Sequence, residues 1–98
     1  MPQGPIQTFD YKDGSKTSLY VNSSQVIKAS AGLISSINVL VAGSAGSIND
    51  CASTATATTA NEVAVIPAAV GPVQLGFPCF TGITITVGSG QVVSVCYR

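Results

Sequence analysis

The chain contains no histidine and no tryptophan, and only 8% of its 98 residues are charged. Without imidazole, neither a Ser-His nor a Cys-His nucleophilic pair can be assembled. Zinc likewise loses one of its usual ligand types. With three Tyr and three Phe as the whole aromatic complement, little material remains for a sugar-stacking platform. Four basic side chains cannot neutralise the run of phosphates on which nucleic-acid affinity depends. No apolar run approaches the roughly 20 residues of a membrane-spanning helix; the longest candidate, Ile37 to Ala42, is of strand length. The N-terminus shows no basic segment followed by an apolar core, the mark of a secretory leader. Synthesis in the cytosol, with neither a membrane nor a nucleic-acid partner, is the expectation.

The remaining reactive groups are sparse and scattered. Asp50 and Glu62 flank an Ala/Thr-rich stretch and are the one carboxylate pair that might meet across a loop. Acid/base work needs a cleft and a substrate anchor as well, and no polar cluster supplies one. Calcium needs six to eight oxygens, usually from carboxylates close in sequence, and that density is missing. Cys51, Cys79 and Cys96 are widely separated, odd in number and form no CxxC pair. They read as reduced, buried small hydrophobes. The expectation is a protein that is not an enzyme, with no catalytic, metal or cofactor-binding residues.

What is present is apolar and small. Hydrophobic residues make up 46% of the chain, and four basic and four acidic side chains sum to zero. Soluble domains typically carry ~25% charged residues, and charge keeps them apart. A neutral surface of Ala, Val, Thr and Ser suits a subunit that packs against neighbours. Asp10, Lys12, Asp13, Lys16 and Lys28 put five of the eight charges into the first 28 residues. The opening Met1-Pro2-Gln3-Gly4-Pro5 forms neither regular helix nor central strand, because proline fixes φ and lacks an amide donor. Residues 1–16 therefore read as an extended N-terminal arm laid on a neighbouring subunit or another protein, with packing against its own domain as the alternative. Pro2, Gln3, Gly4, Pro5, Ile6, Phe9 and Tyr11 are its candidate partner-binding residues, and residues 17–98 form the folded domain.

From Thr17 onward short β-prone segments alternate with small-residue turns. Leu33 to Ala42 is the clearest long strand. In Phe80 to Val87, strict alternation places Ile83, Ile85 and Val87 inward and Thr84 and Thr86 outward. Gly88-Ser89-Gly90 predicts a tight hairpin joining that strand to Gln91 to Arg98. Ser53 to Asn61 reads as an exposed loop, and Phe77-Pro78-Cys79-Phe80 either as a core plug between two strands or as an exposed contact for a partner. Seven or eight short strands at spacings near ten residues, with no amphipathic helix, predict an all-β fold. A single antiparallel β-sandwich or jelly roll is expected, its strand order left open.

Several stretches resemble small virion proteins of tailed bacteriophages. They are Val26-Ile27-Lys28-Ala29-Ser30-Ala31-Gly32, Ile37-Asn38-Val39-Leu40-Val41-Ala42-Gly43-Ser44 and Asn49-Asp50-Cys51-Ala52. Val65-Ile66-Pro67, Phe77-Pro78-Cys79, and Gly82-Ile83 leading to Gly88-Ser89-Gly90-Gln91-Val92-Val93-Ser94-Val95 belong to the same pattern. The likeness spans residues 26–97, in short motifs of low complexity, and does not extend to the arm. It implies a β-sandwich or jelly-roll structural protein of the virion, made in the host cytoplasm. The leading expectation is a head decoration (cement or minor capsid) subunit, a homo-oligomer such as a trimer or pentamer bound to the major capsid protein. A tail fibre, spike or baseplate module binding a host receptor is the alternative, with Ser53 to Asn61 as its recognition loop. A secreted adhesin or pilus-like subunit would need a cleaved leader and a disulfide.

Overall fold

The computed structural model describes residues 16–98, so the arm up to residue 15, with all its candidate partner-binding residues, lies outside the described residues, and Lys16 belongs to the first strand. Eight strands follow one another: β1 Lys16–Val21, β2 Gln25–Lys28, β3 Gly32–Val41, β4 Gly46–Asn49, β5 Glu62–Ile66, β6 Gly71–Cys79, β7 Ile83–Thr86 and β8 Val92–Tyr97. They form two four-stranded sheets, ordered β1-β8-β3-β6 and β2-β7-β4-β5, and every ladder is antiparallel. The pairing is nested: β4 with β5, β3 with β6, β2 with β7, and β1 with β8. A long hairpin rolled up on itself gives this order, which is the jelly roll. The immunoglobulin-like alternative is thereby set aside.

The period-2 pattern explains the core. Across the first sheet, register places Val95 beside Ile37 and Ile37 beside Val73, with Val93 beside Val39. Across the second, Ile85 lies beside Ile48. Val21, Ile34, Ile37, Val39, Val93 and Val95 from one sheet meet Ile48, Ile66, Ile83 and Ile85 from the other, all essentially without solvent contact. Full burial of each such side chain contributes about 1.5–3 kcal/mol. β-Branched residues fill nearly every position, as a pleated and half-buried surface favours.

The glycine turn before β8 does something different from the expected hairpin. β7 pairs with β2 and β4, whereas β8 pairs with β1 and β3, so Gly88 to Gln91 carries the chain from one sheet to the other. Alternation cannot distinguish the two outcomes. Ile83, Ile85, Val93 and Val95 would share one face in a hairpin, and they face each other across the core in a crossover. Close packing with the β3–β4 loop decides it. A Cβ on Gly88 would collide with the Ser44 carbonyl oxygen and lie 2.5 Å from that of Ala45. One on Gly43, whose φ is +51°, would strike the Gln91 amide and Gly90. The Ser44 amide donates to the Ser89 carbonyl at 3.0 Å.

The loop between β4 and β5 adds what alternation does not show. Thr84 faces outward from the core as expected, yet it is fully buried, because residues 51–61 fold over the outer face of the second sheet. Its hydroxyl donates to the Cys51 carbonyl at 2.8 Å. The stretch Ser53 to Asn61, expected as plain loop, contains two one-turn 3₁₀ helices, Thr54–Thr56 and Thr59–Asn61. The Phe77 to Phe80 group is no core plug: residues 77–79 belong to β6, only Cys79 is buried, and Phe80 is 78% exposed.

Because the crossover depends on absent side chains, Gly88→Ala should lower stability in urea unfolding by about 2–3 kcal/mol, as overpacking does. Ser89→Ala, at an exposed neighbouring position, should change it by less than about 0.5 kcal/mol.

Candidate functional site

Strand directions give the sandwich two unlike ends. Turn 29–31, loop 50–61, loop 80–82, the C-terminal Arg98 and the start of β1 lie at one end. Loops 22–24, 42–45, 67–70 and 87–91 lie at the other. Every charged residue among those described sits at the first end: Lys16 opens β1, Lys28 closes β2, Asp50 follows β4, Glu62 opens β5, and Arg98 follows β8.

At the charged end Asp50 is a clamp. Its carboxylate accepts from the backbone amides of Phe80 at 3.0 Å, Thr81 at 2.7 Å and Gly82 at 3.2 Å. Partial burial pushes the Asp50 carboxyl up, but the three amides outweigh it and hold the pKa below the usual aspartate value. The Asp50 amide donates to the Asn61 carbonyl at 2.8 Å, which brings the ends of the 50–61 loop together. Glu62 therefore follows close behind, yet both Asp50 oxygens already accept structural hydrogen bonds.

Asn49 and Asn61 hold the same loop from within. Asn49, nearly fully buried, donates through Nδ2 to the Thr58 carbonyl at 2.8 Å and to Asn61 Oδ1 at 2.9 Å. Its Oδ1 accepts from the Ser47 hydroxyl at 3.0 Å. Asn61 Nδ2 donates to the Thr56 carbonyl at 2.8 Å. These bonds satisfy buried amide groups; their positions make them scaffold. Burial pushes the Cys79 thiol up to about 11, with Asp50 and Cys51 adding to the shift. At neutral pH it is protonated and a poor nucleophile. Among the described residues no group of three or more His, Cys, Asp or Glu side chains comes together.

The uncharged end has the composition of a contact surface. Its loops consist of Asn, Ser, Ala, Gly, Pro, Val and Gln. Tyr20, Leu40, Val41, Val65 and Val70, five of the seven large exposed apolar side chains among the described residues, lie on or beside it. Tyr20 is presented by a bulge: one extra residue of β1 lies between the Ser18–Val95 and Val21–Val93 pairs, and Tyr20 takes φ +49°. Bulges of this kind re-aim a side chain, and positive φ in a non-glycine residue is uncommon. Beneath the surface, Gln91 is buried and fully occupied. Its Nε2 donates to the Pro67 carbonyl at 3.1 Å, and its Oε1 accepts from the Gly88 amide at 3.2 Å. Rigid loops free of charge and carrying exposed apolar groups match the centre of a protein interface, where charged residues are depleted.

Two other surfaces complete the picture. The outer face of the first sheet carries Ser36, Asn38, Gln74 and Ser94. Along one flank, between edge strands β5 and β6, Ile37, Ile48, Val65, Ile66, Val73 and Leu75 meet in an apolar seam too narrow to admit water. Sequence reasoning anticipated a neutral, adhesive surface but missed the uncharged end. Its signal lay in the loops that follow odd-numbered strands, which become neighbours only once the strand order is known. No protein family, curated protein or solved structure matches the chain.

Asp50 sets a pH dependence. Its folded pKa is depressed, so its contribution is complete above the unfolded value of ~3.9 and is lost as pH falls through the folded value. Between about pH 5 and pH 2 the urea midpoint should fall, and Asp50→Asn should flatten that slope while lowering stability at neutral pH by about 1–3 kcal/mol. An unchanged slope would mean the carboxylate is no clamp.

Proposed function

We propose that the chain is a non-enzymatic structural subunit of a bacteriophage virion, most simply a head decoration protein that binds the capsid surface as a homo-oligomer. The observation that carries this reading is the division of the described residues into a charged end and an uncharged, apolar end. A uniformly solvated monomer has no need of such a division, whereas a subunit seated on a larger surface does. The jelly roll is a scaffold that viral capsid proteins, lectins and cupins share, so topology alone does not choose among functions. Chemistry narrows the choice. Metal sites built on imidazole require histidine, which this chain lacks. The phage-like motifs at residues 26–97 agree with the capsid reading. In it the uncharged end faces the major capsid protein, and the weak contacts of each copy add through multivalency.

A receptor-binding module of a fibre, spike or baseplate is the second reading, supported by the exposed side chains of Thr54, Thr56, Thr58 and Thr59 on the roof over the second sheet. It predicts binding through the charged end and to host cells. The two separate in one experiment. Ala68→Lys places a charge on an exposed loop of the uncharged end, and Ser30→Lys places one on an exposed turn of the other. In co-sedimentation with undecorated heads of the source phage, Ala68→Lys should weaken binding by about tenfold or more, the cost of desolvating an unpaired charge. Ser30→Lys should bind as the parent does. Equal loss in both variants, or no binding of the parent to heads, would overturn the capsid reading.

A further inference from the structure

We infer that Tyr20 is the anchor by which the uncharged end holds its partner, and that a tyrosine at this strained position serves that contact and not the fold. The inference rests on the capsid reading above and names the residue on which its affinity depends. β1 bulges before it reaches the end of its sheet. Between Ser18, beside Val95, and Val21, beside Val93, it holds one residue more than its partner strand. Val95 and Val93 both face the core. The extra residue therefore moves Val21 into the inward position that plain alternation would give to Tyr20. Val21 is accordingly without solvent contact, and Tyr20 is 63% exposed.

The fold makes use of the bulge, but a tyrosine is a poor residue with which to build it. At φ +49° the backbone has a conformation that glycine adopts freely, asparagine tolerates and a bulky side chain resists. Exposure adds a second cost, because most of the ring stays in water. Tyr20 thus opposes stability twice. Backbone outliers that the surrounding structure maintains gather at functional contacts, and tyrosine is among the residues that dominate interface energetics.

Other apolar groups continue from it in a row. Register runs straight across the first sheet through Val21, Val93, Val39 and Gly71. Adjoining this line are Tyr20 on β1, Leu40 and Val41 on β3, and Val70 just ahead of β6, each a large exposed apolar side chain. The row spans three strand spacings, about 14 Å. Val65 belongs to the second sheet and stands outside it. Every charged residue among those described lies at the opposite end, so the surface that fits this row is itself uncharged. On the capsid protein it is a shallow apolar recess, with a hydrogen-bonding group at one end for the phenol hydroxyl.

The test compares Tyr20→Gly, Tyr20→Asn and Phe80→Ala in urea unfolding and in co-sedimentation with undecorated heads of the source phage. Both Tyr20 variants should unfold at a urea midpoint no lower than the parent's, since each relieves the backbone. Both should bind heads about thirtyfold more weakly, as truncation of an interface hot spot does. Phe80→Ala removes a still more exposed ring from the charged end and should bind as the parent does. A lowered midpoint in both Tyr20 variants would make the tyrosine part of the fold and overturn the inference. Equal weakening by Phe80→Ala would do the same. Normal binding by the Tyr20 variants, while Ala68→Lys still weakens it, would overturn the inference and leave the capsid reading standing. A parent chain that ignores heads overturns both.

Discussion

The structure depends on the close approach of two glycine-bearing loops, 42–45 and 87–91. There the chain leaves the sheet of β7 for the sheet of β8, and no Cβ can be accommodated at Gly43, Gly46 or Gly88. Gln91 seals the junction by bonding to both Gly88 and Pro67, so three of the four loops at that end become one rigid piece. An Asp50 clamp performs the equivalent task at the opposite end, tying the β4–β5 loop to the β6–β7 loop through three amides. Between these fastenings the core is almost wholly Val and Ile. Such residues are stiff at χ1 and suited to a pleated surface.

That economy explains the location of the polar groups. Asp50, Asn49, Asn61 and Gln91 are each consumed by the backbone of a loop, and none is left facing an open cleft. What the described residues present at the surface is hydroxyl, methyl, amide and a few large apolar side chains, with their charge confined to one end. Surfaces of that kind associate through area and shape complementarity rather than through steering charges. The proposed capsid role draws on this property alone.

Much of the fold was legible in the residues. Strict alternation in Ile83 to Val87 and Val93 to Tyr97 identified strands, and the missing helical periodicity excluded crossover helices. Strand order was not legible, because inward-facing Ile85 and Val95 satisfy a hairpin and an inter-sheet crossover equally well. Thr84 occupies the outer face as alternation indicates, but its burial was not legible for a related reason. Alternation reports which face of a strand a residue occupies, and it is silent about a loop that later covers that face. Phe80 looked like core because it is large and apolar, yet Asp50 fixes the neighbouring amides and leaves the ring outside. The uncharged end is a property of four loops that are dispersed in sequence, so no local motif announces it.

The central claim is that this chain is a subunit whose neutral surfaces are covered by other copies or by a larger particle. Sedimentation equilibrium of the purified full-length protein, over a wide concentration range and at low and high salt, tests it most directly. The account predicts a defined oligomer that salt does not dissociate, because its contacts are apolar. A monomer at every concentration, or an oligomer that dissociates as salt rises, would contradict it.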